Sequence, residues 1–299
     1  MTTRRDTSVW FVLTAAALGA ALAWAQLLAA VGFGVLDFDR RFDAGADNDW
    51  LDNYRNVLWF CATAVIVAVL LARSAFRDPS SRPRWIVAVT AASGAGTVVP
   101  YLMEQAGSAK HLSLVDQASV SAAQAAIVGL ALGAVTSLIV GVRAASARVL
   151  AWGAVMGAVV LWILMLVSAN AKAYGPSVLG VLEFDALAYD TRVDVMLASA
   201  STVGVVTAAL VSVVARRETT ATLIVAGLLT VGSVAATLLV TAVVGPSPSG
   251  DHADLGANVI VPLLLGGVPA FGLLAMVARH RRRSLPPAHT VTSPAGSVW

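Results

Sequence analysis

Polar and apolar positions alternate along this chain in long blocks, not residue by residue. Eight runs almost free of charge stand out, at residues 10–36, 56–72, 85–103, 117–142, 149–171, 195–215, 220–244 and 255–278. The runs are 17 to 27 residues long, enough for an α-helix to cross about 30 Å of hydrocarbon at about 1.5 Å per residue. Spanning β-strands would show about ten residues of strict alternation, which is absent. A backbone in lipid must satisfy its own hydrogen bonds, so runs of this length predict helices. The fold class expected is all-α: a polytopic membrane protein with eight transmembrane helices. The run at 10–36 contains Ala23-Trp24-Ala25 ahead of Gln26, which resembles a signal-peptide cleavage site. It continues well beyond that point, so an uncleaved first span is expected.

The segments between the runs differ in charge. Placing the N-terminus in the cytoplasm and alternating sides puts Arg4, Arg5, Arg73, Arg77, Arg82, Arg84, Arg143, Arg148, Arg216, Arg217 and Arg279 to Arg283 on one side, with only Asp6, Asp78 and Glu218 as acids. The other side collects the remaining acids. This is the positive-inside pattern of a cell membrane, with both termini cytoplasmic. Trp10, Trp85 and Trp152 fall at the cytoplasmic ends of their spans and Trp59 near an exterior end, as expected for interfacial anchors.

The chain also repeats itself. Gly34-Val35-Leu36-Asp37-Phe38-Asp39 returns as Gly180-Val181-Leu182-Glu183-Phe184-Asp185. Phe42-Asp43 returns as Tyr189-Asp190, and Asp47 as Asp194 after one inserted residue. Two four-helix halves are therefore expected, at 1–146 and 147–283, followed by a flexible tail at 284–299. An even number of spans per half makes the repeats parallel, related by an axis along the membrane normal.

Composition agrees with this reading. Hydrophobic residues make up 58% and charged residues 12%, where soluble domains carry about 25% charged residues. The single cysteine, Cys61, rules out a disulfide framework within the chain and a Cys-rich metal site. The net charge of +3 has a topological origin and does not imply nucleic-acid binding.

Candidate chemistry is sparse. Asp37, Asp39, Asp43, Glu183, Asp185 and Asp190 are carboxylates of the kind a divalent cation such as Ca²⁺ would take, although the spacing is not that of an EF-hand. Two alternatives stand beside that: solvated exterior loops that tolerate acid, and a turn packed on the bundle through Phe38 and Phe184. His111 with Asp116, and His252 with Asp251 and Asp254, lack metal-ligand spacing. Gln26, Glu104, Gln117, Gln124 and Lys172 lie near exterior ends of spans, where they would line a substrate cavity or bond between helices. Gln117, Ser121 and Gln124 share one helix face. Gly129/Gly133 and Gly153/Gly157 are small-x-x-x-small pairs for close helix packing, and Pro100, Pro262 and Pro269 would kink spans. No ionisable residue occupies a span centre, and no P-loop, G-x-S-x-G, H-E-x-x-H or C-x-x-C motif occurs. The expected role is permease-like or transport-associated. The alternatives are a non-catalytic scaffold or complex subunit, and a membrane-embedded enzyme on a lipid-linked substrate using the exterior carboxylates. The expected partners are the lipid bilayer and other membrane subunits.

Overall fold

The computed structural model describes residues 4–39, 42, 47–75, 84–112, 115–140, 147–171, 206, 209–210, 232–237, 239–241, 243–246 and 276. The described chain is helical: α1 (Arg4–Gly32), α2 (Asp47–Ala75), α3 (Arg84–Ala95), α4 (Val99–Ala106), α5 (Ala118–Val140) and α6 (Ala147–Ala171). A 3₁₀ turn, Gly96–Val98, joins α3 to α4 within one apolar stretch, Arg84–Ala106. Five helical segments are thus long and apolar enough to cross a membrane. The expected spans at 195–215, 220–244 and 255–278 fall largely outside the described residues.

Two of the boundaries expected from hydropathy move. The first span does not run to Leu36: α1 stops at Gly32, and Gly34 takes a left-handed φ of 68°. The Val35 amide then reaches back to the Ala30 carbonyl at 2.8 Å, and the Gly34 amide to the Val31 carbonyl at 3.2 Å. This is a Schellman ending, which needs a residue without Cβ at the left-handed position. The second helix begins at Asp47, nine residues before the apolar run, so the later part of the acidic segment is helix and not loop. Its acids lie in the first turns, where the helix dipole favours negative charge.

α2 is the axis of the bundle. Its apolar window is 89% buried, against 28% to 39% for the other four spans. Contacts fix the directions. Trp50 meets Ser121, Leu58 meets Gly129 and Ala62 meets Gly133, a constant shift of 71 positions, so α2 and α5 run parallel. Asn53 reaches Asp37 and Thr63 reaches Gln26, a nearly constant sum of positions, so α1 and α2 run antiparallel. α6 is antiparallel to α2, with Trp162 on Phe60 and Leu150 in the cluster with Leu70. The spans therefore alternate in direction.

Small residues set the spacing. A Cβ on Gly129 or Gly133 would run into the Leu58 and Ala62 carbonyls of α2, so the Gly129/Gly133 pair is the α2–α5 contact. A second pair was not anticipated. A Cβ on Gly19 would strike the Ala91 carbonyl, and one on Gly94 the Ala16 carbonyl. α1 and α3 thus touch backbone to backbone, with glycine from each helix against a carbonyl of the other. Such closeness gains dispersion and Cα–H···O contacts, which hold helices together where lipid removes the hydrophobic driving force.

Candidate functional site

The repeated motif can be read in its first copy. Val35, Leu36, Phe38 and Phe42 are buried, while Asp37 and Asp39 are exposed. Phe38 and Phe42 both meet the edge or face of the Trp50 indole, with ring centroids 6.0 and 5.5 Å away. The Trp50 Nε1–H donates to Ser121 Oγ at 3.1 Å, joining α2 to α5. Asn53 Nδ2 donates to the Asp37 carbonyl at 2.9 Å, and Asn56 Nδ2 to the Val35 carbonyl at 3.5 Å. The Phe42 amide donates to the Lys110 carbonyl at 3.1 Å. The first copy is therefore an aromatic turn packed on α2, with Asp37 and Asp39 exposed. Asp43, Glu183, Asp185 and Asp190 have no described side chain. Among the described residues, no group of three His, Cys, Asp or Glu side chains is placed to hold a metal ion. His111 and Asp116 are exposed; His111 has a φ of 62°.

The other polar candidates separate. Gln26 is the junction of three helices. Its Nε2 donates to the Phe60 carbonyl at 3.3 Å and the Leu22 carbonyl at 3.4 Å. Its Oε1 accepts from Trp162 Nε1 at 3.4 Å and lies 3.2 Å from Thr63 Oγ1. Thr63 has one hydroxyl proton, and the Trp59 carbonyl at 2.8 Å is its nearest acceptor. Trp162 also stacks on Phe60, centroids 5.1 Å apart and 14° between planes. Next to this cluster, Trp59 Nε1 donates to Ser233 Oγ at 3.2 Å. Trp59 is 0% exposed, so it is not an interfacial anchor. The early start of α2 carries it more than two turns into the bundle.

Ser121 is buried against Trp50, whereas Gln117 and Gln124 on the same helix face are exposed. Gln124 Nε2 donates to the Val244 carbonyl at 3.2 Å. Glu104 is exposed at the end of α4, and Lys172 lies outside the described residues. The described structure does not gather these residues around one cavity.

Two small cavities border the cluster. One, about 10 Å³, is lined by Trp59, Thr63, Ala158 and Ser233 among others. The second, also about 10 Å³, lies between Ala23, Phe60, Cys61, Val98 and Leu102 and is apolar. Each is the size of about one water molecule. The second touches the break in the third span. There Pro100 lacks an amide proton and cannot continue the helical ladder. The Thr97 hydroxyl donates to the Gly94 carbonyl at 2.8 Å and accepts from Trp24 Nε1 at 3.1 Å. Sequence reasoning flagged Pro100 and Gln26. It missed Trp162, Asn53 and Asn56, whose roles depend on which helices are neighbours.

No family model, curated protein or solved structure matches the chain.

Proposed function

We propose that the chain is an integral membrane protein acting as a non-catalytic scaffold or complex subunit. The observation that carries this reading is the use made of the polar groups within the described spans. Gln26, Trp50, Trp59, Trp162 and Ser121 bond to other helices, and the cavities beside them hold about one water each. A permease-like role is the second reading, favoured by the 3₁₀ break ahead of Pro100 in the third span. Breaks at mid-span are used as hinges and binding sites in transporters. Spin labels at Leu28 on α1 and Met103 on α4, both exposed, separate the two in nanodiscs. One narrow distance distribution is expected for a scaffold. Two populations would overturn it in favour of the permease.

The proposal includes the whole topology: eight spans, two parallel halves and both termini in the cytoplasm. The charge asymmetry of the loops supports it. With Cys61 replaced, cysteines at Ala46 and Ala186 should react with an impermeant thiol reagent on intact cells, and cysteines at Ser80 and Ser284 should not. Labelling at Ser80 from outside would sink this topology.

A further inference from the structure

Thr63 stands at the middle of the apolar stretch Trp50–Ala75 and is only 7% exposed. Three oxygens surround its Oγ1: the Trp59 carbonyl at 2.8 Å, the Phe60 carbonyl at 3.2 Å and Gln26 Oε1 at 3.2 Å. All three are acceptors, and Thr63 has one proton to give. Its own lone pairs receive no donor among the described residues. The neighbouring donors are committed elsewhere: the Trp162 N–H to Gln26 Oε1, the Trp59 N–H to Ser233 Oγ, and Gln26 Nε2 to the Leu22 and Phe60 carbonyls. The junction of α1, α2 and α6 therefore has acceptors in excess of protons. A buried acceptor left unmet carries its desolvation cost in full, and buried water is the usual donor that removes it. Beside Thr63 lies a cavity of about 10 Å³, with Trp59 and Ser233 in its lining next to the apolar Ile66, Ala158 and Leu161.

We infer that this cavity binds one water molecule, which donates a proton to Thr63 Oγ1 and meets the Ser233 hydroxyl. The volume is that of about one water, and two hydroxyls supply the polar partners that a buried water needs. A hydroxyl both donates and accepts, so Ser233 can bond the water in either sense. The lining holds no carboxylate, so the site suits a neutral molecule and not a cation. The second cavity makes the contrast. It is equal in volume, but its lining, Phe60, Cys61 and Leu102 among others, is apolar and offers water no partner. The water ties α2 to the segment around Ser233 alongside the direct Trp59–Ser233 bond, with Ala154 and Ala158 of α6 at the same cavity. It thus belongs to the seam between the first four spans and the rest of the chain, and stands whether the protein is a scaffold or a permease.

The test is X-ray radiolysis of the full chain in detergent, followed by mass spectrometry of the oxidised side chains. Radiolysis splits bound water in place, so an indole touching that water is oxidised where radicals from bulk do not reach. Trp59 is the reporter and Trp50 the reference: they are 0% and 1% exposed, and Trp59 lines the cavity while Trp50 does not. Trp50 also lies nearer the start of α2, so loosening of the bundle would oxidise it first. In the wild type, Trp59 should oxidise faster than Trp50. Thr63→Val, which keeps the shape and removes the hydroxyl, should lose that excess. Thr63→Ser, which retains the hydroxyl, should keep it. The wild-type comparison stands even if a variant fails to fold. Oxidation of Trp59 no faster than that of Trp50 would overturn the water site, and an excess retained in Thr63→Val would overturn Thr63 as its anchor.

Discussion

Replacing Gln26 with leucine tests how much of this bundle is held by polar contacts inside the apolar layer. The two side chains are close in length, so the change removes hydrogen bonds with little change in volume. Three groups on neighbouring helices lose a partner: the Phe60 carbonyl, Thr63 and the Trp162 indole N–H. The first two keep a second role. Thr63 retains the Trp59 carbonyl at 2.8 Å, and the Phe60 carbonyl belongs to α2. The Trp162 N–H has only Gln26 as a described acceptor, at 3.4 Å. Interhelical hydrogen bonds in membranes average about 0.6 kcal/mol and reach about 1.7 kcal/mol. Gln26→Leu should therefore cost about 1–2 kcal/mol, most of it through Trp162. Trp162→Phe keeps the stack on Phe60, whose planes are 14° apart, and removes the N–H. A double-mutant cycle between Gln26→Leu and Trp162→Phe should give a coupling of about 0.6–1.7 kcal/mol. The assay is reversible unfolding in mixed micelles, or steric trapping in bicelles. Additive single-mutant effects would mean that the 3.4 Å contact contributes nothing. α6 would then be held by its packing on α2 alone.

Three further outcomes are expected. Gly94→Ala or Gly19→Ala should push α1 from α3 and destabilise by about 1–3 kcal/mol, measured by the same unfolding assay; wild-type stability in either would show that the backbone contact can relax without cost. Gly34→Ala should lower stability by about 1–2 kcal/mol, because alanine in the left-handed region carries that penalty. Asp37→Asn with Asp39→Asn should change it by less than about 0.5 kcal/mol, as exposed substitutions usually do. A calcium-dependent rise in Tm that those two substitutions abolish would show instead that the outward carboxylates hold a cation.

The role of the repeated motif illustrates what a sequence conveys about a bundle of long apolar helices. Its glycine and aromatic residues are legible as a helix stop and an apolar turn, because the requirement for a left-handed residue is local. Its carboxylates suggested a cation site with equal ease, since spacing alone does not say which way a side chain faces. Burial divides the two sets, with Phe38 and Phe42 facing inward on Trp50 and Asp37 and Asp39 outward. The candidate polar residues behave alike. Gln26 and Ser121 became helix–helix contacts because Trp162 and Trp50 reach them, and no pattern in the chain announces those partners.

The sequence by itself determined that the described chain is helical and roughly where five apolar helices lie, and it marked Gly129 and Gly133 as a candidate close contact. These follow from backbone hydrogen bonding in lipid and from side-chain size, both properties of short stretches. Only the tertiary structure decided that α2 is the axis. Hydropathy could not have done so: the apolar stretch of α6 is the more apolar of the two, yet it is 33% buried, against 89% for that of α2. In water, an apolar face marks the inside. In a bilayer the surroundings of the bundle are as apolar as its core, so both faces of a helix read alike. Which face turns inward is then settled by shape and hydrogen bonding between residues far apart in the chain, such as Gly94 against Ala16 or Trp162 against Gln26.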